Sequence, residues 1–180
     1  MLISPEYKAG NRAVHDRQPM WGSSAPRWIP DVILHGDLLG AESILDYGCG
    51  KGHLRMRLPT RDVREYDPGI PGKDGPPEPA DMVACLDVLE HVEPECLDDV
   101  LRHIAQLSRL GALLAIALYP SGTILPDGRN SHLIVESPDW WIDRIRAVWT
   151  FPMEMTWDHV PRPSRKPKGK SVLVVRMKTC

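Results

Sequence analysis

Residues 43–54 read Ser43-Ile44-Leu45-Asp46-Tyr47-Gly48-Cys49-Gly50-Lys51-Gly52-His53-Leu54. The apolar pair Ile44 and Leu45 opens a short run of the kind that forms a buried parallel strand. An acid and three alternating glycines follow at once. Glycine allows φ > 0 and removes the Cβ that would hold a ligand away from the backbone. His53 to Leu58 then reads as a short helix, whose first N–H groups face whatever lies above the loop. Strand, glycine turn and helix start in this order describe a nucleotide-type turn. A tight turn that binds nothing has the same composition, so the rest of the chain decides between them. Spacing narrows the ligand. A dinucleotide fingerprint G-x-G-x-x-G would need glycine at position 53, where His53 stands. A phosphate-cradling loop needs G-K-[ST], and here Gly50-Lys51 is followed by Gly52.

The chain has 180 residues and a net charge of -2, which suits one domain with a sizeable core and gives no global basic field for nucleic acid. Its 18 prolines and single Phe point to many loops, with six Trp supplying aromatic bulk. Cys49, Cys85, Cys96 and Cys180 form no C-x-x-C pair and no metal-ligand spacing, so reduced thiols in a cytoplasmic protein are expected. Met1 to Asn11 carries no h-region, and no apolar run approaches membrane-spanning length.

The remaining elements follow from capping and periodicity. Ser4-Pro5-Glu6 is an N-cap, a proline at the first helical position and an acid in the first turn. It predicts a polar helix to about Gln18, and a second helix runs from Pro26 or Pro30 to Leu39, ended by Gly40. The strand Asp62-Val63-Arg64-Glu65-Tyr66 ends at Asp67-Pro68, about 20 residues past the first strand, where a carboxylate can accept both hydroxyls of a ribose. Asp67 is chosen over Glu65, which reads as solvent-facing. Gly69 to Ala80 holds four prolines and three glycines, which leaves no room for a helix and a strand. Asp81 to Leu86 is a buried strand followed by Asp87-Val88-Leu89-Glu90-His91. Pro94-Glu95 opens a helix with an apolar stripe through Leu97, Val100, Leu101 and Ile104, stopped at Gly111. Ala112 to Leu118 is a central strand, and Tyr119 to Pro138 a polar loop. Ser137-Pro138-Asp139 caps a further helix with Trp141, Ile142 and Ile145 on its apolar face. Val148–Val160 and Ser171–Met177 form a final antiparallel pair.

The D-x-G-x-G-x-G of Asp46 to Gly52 resembles the first motif of class I S-adenosylmethionine (SAM)-dependent methyltransferases. The D-x-L-E-H of Asp87 to His91 resembles the post-strand motif of many small-molecule members, including the ubiquinone-pathway O-methyltransferases. Glycine loop, acid after the second strand, D-x-L-E-H, helix and apolar strand fall in the family's chain order. The chain's length and proline-rich shortcut are also similar to compact methyltransferase-like proteins of phages and prophages. The resemblance implies an α/β, three-layer Rossmann-like fold. Its sheet would have about six strands, mostly parallel, with an antiparallel C-terminal strand. Residues 1–180 would form a single domain, 1–40 being a helical arm and 41–180 the core. The arm, with His15 and Trp21, is read either as a lid or as an extra helix covering the sheet edge.

The resemblance further implies SAM as cofactor, bound by Asp46, Gly48, Cys49, Gly50, Gly52, Asp67, Pro68, Leu86 and Asp87, with Asp74 a weak candidate for the adenine amino group. The expected activity is methyl transfer to an O or N nucleophile of a small-molecule or nucleotide-like acceptor. His91 and His132 are the candidate general bases, and Arg129 suggests an anionic acceptor. No metal is assigned, although a divalent ion could use Asp87, Glu90, His91 and His132. Metal-dependent small-RNA terminal ribose methyltransferases resemble that arrangement, with an E-x-x-E-H segment and a later histidine. The alternatives are a nucleic-acid methyltransferase, including a metal-dependent ribose 2'-O enzyme approached through Arg162 to Lys170, and a non-catalytic SAM-binding partner module.

Overall fold

The computed structural model describes residues 1–17, 22, 25–149, 153–161 and 171–179. Chain order is α1 (Pro5–Arg17), a 3-10 turn (Ala25–Trp28), α2 (Ile29–Leu39), β1 (Ser43–Tyr47), α3 (His53–Arg57) and β2 (Asp62–Tyr66), then β3 (Ala80–Leu86). After two further 3-10 turns come α4 (Leu97–Leu107), β4 (Ser108–Ala117), α5 (Pro138–Val148), β5 (Met153–Pro161) and β6 (Ser171–Thr179). Among the described residues, six strands form one sheet in the order β2-β1-β3-β4-β6-β5. The four strands β2, β1, β3 and β4 are parallel, while β6 is antiparallel to both β4 and β5.

Parallel strands joined by crossovers are covered on both faces, so their side chains are apolar in both directions. Leu45, Val83, Cys85, Leu114, Ile116, Leu173 and Val175 turn towards α4 and α5, where Trp141 is fully buried. Ile44, Met82, Ala84, Leu113, Ala115 and Val174 turn the other way, against Trp28, Val32 and Leu54. The result is the expected three-layer α/β architecture. Residues 69–79 contain no helix and no strand, which leaves β2 at the sheet edge. The expected sheet of about six strands is therefore what forms among the described residues.

Ser4 caps α1 with its hydroxyl, which accepts from Tyr7 N–H at 3.1 Å. Gly40 ends α2 at φ 65, donating to Gly36 and Asp37 carbonyls. One boundary differs from expectation. Gly111 does not stop α4, which ends at Leu107; it lies inside β4, which begins at Ser108. A Cβ at Gly111 would come 2.1 Å from the Met177 carbonyl oxygen. This glycine lets the neighbouring antiparallel strand approach, and sequence offers no way to separate that use from a helix stop.

Candidate functional site

The carboxyl ends of β1 to β4 share one cavity of about 620 Å³. It is lined by Tyr47, Gly48 and Gly50 at the end of β1, Asp67 and Pro68 after β2, Asp87, Val88 and Glu90 to Glu93 after β3, and Ala117, Tyr119 and Ser121 at the end of β4. His132 enters from the long loop, while Tyr7, Asn11 and His15 of α1 and Pro26-Arg27 form the roof. Ligands of open α/β sheets sit at this end of the strands.

The glycine loop adopts the left-handed conformation three times: Gly48 has φ 76, Gly50 φ 51 and Gly52 φ 78. A Cβ at Gly48 would lie 2.5 Å from Val88, and one at Gly50 3.2 Å from the Gly22 carbonyl oxygen. The Asp67 carboxylate, 6% exposed, accepts from Gly50 N–H at 2.9 Å and from Gly69 N–H at 2.8 Å. Each oxygen keeps further acceptor capacity towards the cavity. Glu65, expected to face solvent, is instead half-buried and turned back to the loop, where it pairs with Lys73 Nζ at 3.1 Å.

Of the proposed cofactor residues, Gly48, Gly50, Asp67, Pro68 and Asp87 line the cavity, whereas Asp46, Cys49, Gly52 and Leu86 lie outside its lining. Asp46 is 2% exposed, with Oδ2 unpartnered among the described residues. Burial, reinforced by Glu65, pushes its pKa up to about 7. Because the folded value lies above the unfolded one, stability is full at low pH and is lost as pH rises from about 4 towards 7. The Asp46→Asn protein is therefore expected to gain on wild type with pH, by on the order of 2–3 kcal/mol between pH 5 and pH 8. Urea melts at pH 5 and pH 8 check this; an equal gap at both would refute it.

In the lining of the same cavity, Glu90 is fully buried, with Oε1 accepting from Ala117 N–H at 3.1 Å. Its Oε2 has no partner among the described residues. Burial, then the Asp87 charge, raises its pKa well above the carboxylate range. His91 Nδ1 lies 2.6 Å from the Ser131 carbonyl oxygen, and His132 Nδ1 lies 2.5 Å from that of Tyr119. A carbonyl only accepts, so both Nδ1 atoms carry the proton and each Nε2 carries the lone pair. Burial, then His132, pushes the His91 pKa down to about 4. The two rings meet edge to face with centroids 4.7 Å apart. One ligand atom from each of Glu90, His91 and His132 falls within 4.8 Å of the others.

Asp87 is not part of that cluster. It is the one non-glycine residue with positive φ among those described, at φ 56. Its carboxylate pairs with Arg27 and accepts from Trp28 Nε1 at 2.9 Å, which ties the 3-10 turn before α2 to the cavity. Arg129 is ion-paired with Asp127 and lies over the Tyr7 ring, 5.7 Å to the centroid, outside the cavity lining. The arginine that does line it, Arg27, sits in a segment with no motif. Asp74 is exposed and pairs with Lys8 at 3.0 Å, away from the cavity lining. Two arm anchors also escaped the sequence reading: Ser4 donates to Glu93 at 2.8 Å (N–H) and 2.7 Å (hydroxyl), and Tyr7 OH donates to the His91 carbonyl at 2.7 Å. Trp21 and Arg162 to Lys170 lie outside the described residues.

No protein-family model matches the chain, and no curated protein matches it. Solved structures do. The 1,6-didemethyltoxoflavin-N1-methyltransferase of Burkholderia thailandensis, with bound 1,6-didemethyltoxoflavin and S-adenosylhomocysteine, superposes at TM-score 0.66. It is 20% identical, over 99% of this chain and 92% of its own. The magnesium protoporphyrin IX methyltransferase of Synechocystis PCC 6803, with bound SAM, gives 0.53 at 18% identity, over 93% and 80% of the two chains. The methyltransferase domain of bacterial CtHen1 gives 0.57 at 12% identity, over 83% and 96%. The chain has the class I methyltransferase fold. Among the described residues, no helix is long and apolar enough to cross a membrane.

Proposed function

We propose that the chain is a SAM-dependent methyltransferase that modifies an O or N nucleophile of a small-molecule or nucleotide-like acceptor. On this reading it is one cytoplasmic domain, with the arm serving as a roof. The observation that carries the reading is one cavity lined both by the glycine loop and Asp67 and by the Glu90-His91-His132 cluster.

The residues present fit the cofactor. The left-handed Gly50 leaves space that a Cβ would take, and Asp67, held by two backbone N–H groups, offers its remaining lone pairs to ribose hydroxyls. Asp67, Asp87 and Glu93 outweigh Arg27 in the lining, which suits a positively charged sulfonium. When bound, SAM supplies an electrophilic methyl group. The protein then has to position the acceptor, exclude water and receive its proton. The arm, anchored through Ser4 and Tyr7, excludes water. His91 and His132, held as Nδ1–H tautomers, offer Nε2 lone pairs to the acceptor proton. A base with pKa about 4 is poorly matched to an aliphatic alcohol at neutral pH. It suits acceptors that release a proton readily, such as a carboxylic acid, a phenol or a heteroaromatic N–H.

One observation favours a second reading, in which Glu90, His91 and His132 hold a divalent ion: their three ligand atoms converge within 4.8 Å. A bound ion would act as a Lewis acid and bring a ribose hydroxyl within reach of deprotonation. The four-residue set then shrinks to three, because Asp87 is taken by Arg27 and Trp28.

Calorimetry with SAM, S-adenosylhomocysteine and NAD tests the cofactor, and preference for NAD would sink the assignment. Metabolite and nucleotide pools are then screened for S-adenosylhomocysteine release with and without chelator. Release indifferent to chelator is the expected result for the first reading. Loss on chelation, restored by Mn2+ or Zn2+, would replace it with the second.

A further inference from the structure

We propose that Lys73 is the positioning residue of the glycine loop, holding Gly50 and Asp67 in the arrangement that receives SAM. The proposal rests on the SAM reading for its ligand and goes beyond it in assigning the residue that shapes the site.

Lys73 lies in the proline- and glycine-rich segment 69–79, which contains no helix and no strand. Successive turns fold this segment back on the end of β2: Ile70 N–H donates to the Asp67 carbonyl at 3.2 Å, and Lys73 N–H to the Ile70 carbonyl at 3.0 Å. Lys73 then grips the site twice. Its backbone carbonyl accepts from Asp67 N–H at 2.9 Å. Its ammonium donates to the Gly50 carbonyl at 3.1 Å and to Glu65 Oε1 at 3.1 Å.

Gly50 is consequently held from both sides. Its N–H goes to the Asp67 carboxylate and its C=O to the Lys73 ammonium, which fixes both peptide planes flanking a residue at φ 51. An ammonium has three donors on one atom, so it can serve a carbonyl and a carboxylate together. The pair is shielded, with Lys73 23% and Glu65 16% exposed at the side chain. It therefore escapes much of the screening that weakens surface pairs. The loop packs onto it closely: a Cβ at Gly52 would lie 2.0 Å from Glu65 Oε1 and 2.9 Å from Lys73 Nζ. Lys73 does not line the cavity, so it acts through Gly50 and Asp67 rather than on the ligand.

The test compares wild type with Lys73→Met, which keeps the stem and loses the ammonium, and with Lys73→Arg. In Lys73→Met the SAM dissociation constant is expected to rise about 10- to 50-fold, with Lys73→Arg recovering part of the loss. The melting temperature should change by only a few degrees, and kcat at saturating SAM should hold while KM for SAM rises. Amide exchange of Gly50 in the ligand-free protein should be about tenfold faster. SAM affinity within twofold of wild type, with unchanged Gly50 exchange, overturns the proposal. If wild type binds no SAM, the cofactor reading fails separately and Gly50 exchange alone decides on the clamp. Should Lys73→Met not fold, Glu65→Gln removes the ammonium's counter-ion. A rise in the dissociation constant of about threefold or more supports the clamp, and no change overturns it.

Discussion

Gly50→Val is expected to lose SAM binding while the fold survives. Gly50 sits at φ 51, where a residue with a Cβ costs roughly 1–2 kcal/mol and a β-branched one more. Its Cβ would also press on the backbone of Gly22, 3.2 Å from the oxygen and 3.3 Å from Cα, and neither atom can swing aside as a side-chain tip would. Any relief that moves the loop breaks the Gly50 N–H bond to Asp67 and the Lys73 bond to the Gly50 carbonyl. The loop lies outside both apolar layers, so the melting temperature should fall by only a few degrees. Affinity for SAM should fall at least about 100-fold, or roughly 2.7 kcal/mol. A Gly50→Val protein that binds SAM as wild type does would remove the loop from the site.

The parts of this molecule that were legible in its sequence are those governed by local periodicity and backbone sterics. Ile44-Leu45, Ala112 to Leu118 and the Leu97 stripe each name their own element. The turn residues of 69–80 exclude a helix and strand whatever surrounds them. Gly48, Gly50 and Asp67 were legible because a close backbone approach and a carboxylate at a strand exit leave a mark on residue type. What stayed hidden depends on which distant side chain arrives. Asp87 could be grouped with a possible divalent-ion site because sequence cannot show Arg27 and Trp28 turning in to take its carboxylate. Arg129 looked like an anion receptor because residue type alone does not show that Asp127 takes its guanidinium outside the cavity lining. Gly111 shows the same limit in the backbone: one residue type serves both a helix stop and a strand contact. Lys73 carried no signal, since a lysine in a proline-rich turn is ordinarily solvated.

Glu90 gives the sharpest separation between the two chemistries. The carboxyl is fully buried, and burial, then the Asp87 charge, raises its pKa well above the ordinary range, which favours the neutral acid. A raised folded value means that stability is full below the unfolded value and declines as pH climbs towards the folded one. Glu90→Gln keeps an acceptor for Ala117 N–H and removes the titration. It should be as stable as wild type at pH 5 and more stable at pH 8. Glu90→Ala leaves that N–H at 3.1 Å without its acceptor and opens a cavity, at a cost of about 2–4 kcal/mol. For a chain of this size that is a fall of roughly 5–15 °C in melting temperature. Calorimetric melts at the two pH values check both substitutions; a Glu90→Gln protein less stable than wild type at pH 8 would show that the charged form is the native one. The same pair of proteins tests the divalent ion without any acceptor. If His91, His132 and Glu90 bind Mn2+ or Zn2+, the ion displaces the Glu90 proton. It then raises the wild-type melting temperature in a concentration-dependent way, and Glu90→Gln, with a neutral amide in place of the carboxylate, loses that rise. A wild type indifferent to both ions leaves Glu90 as a buried carboxyl accepting from Ala117 N–H and leaves His91 and His132 to handle the acceptor's proton.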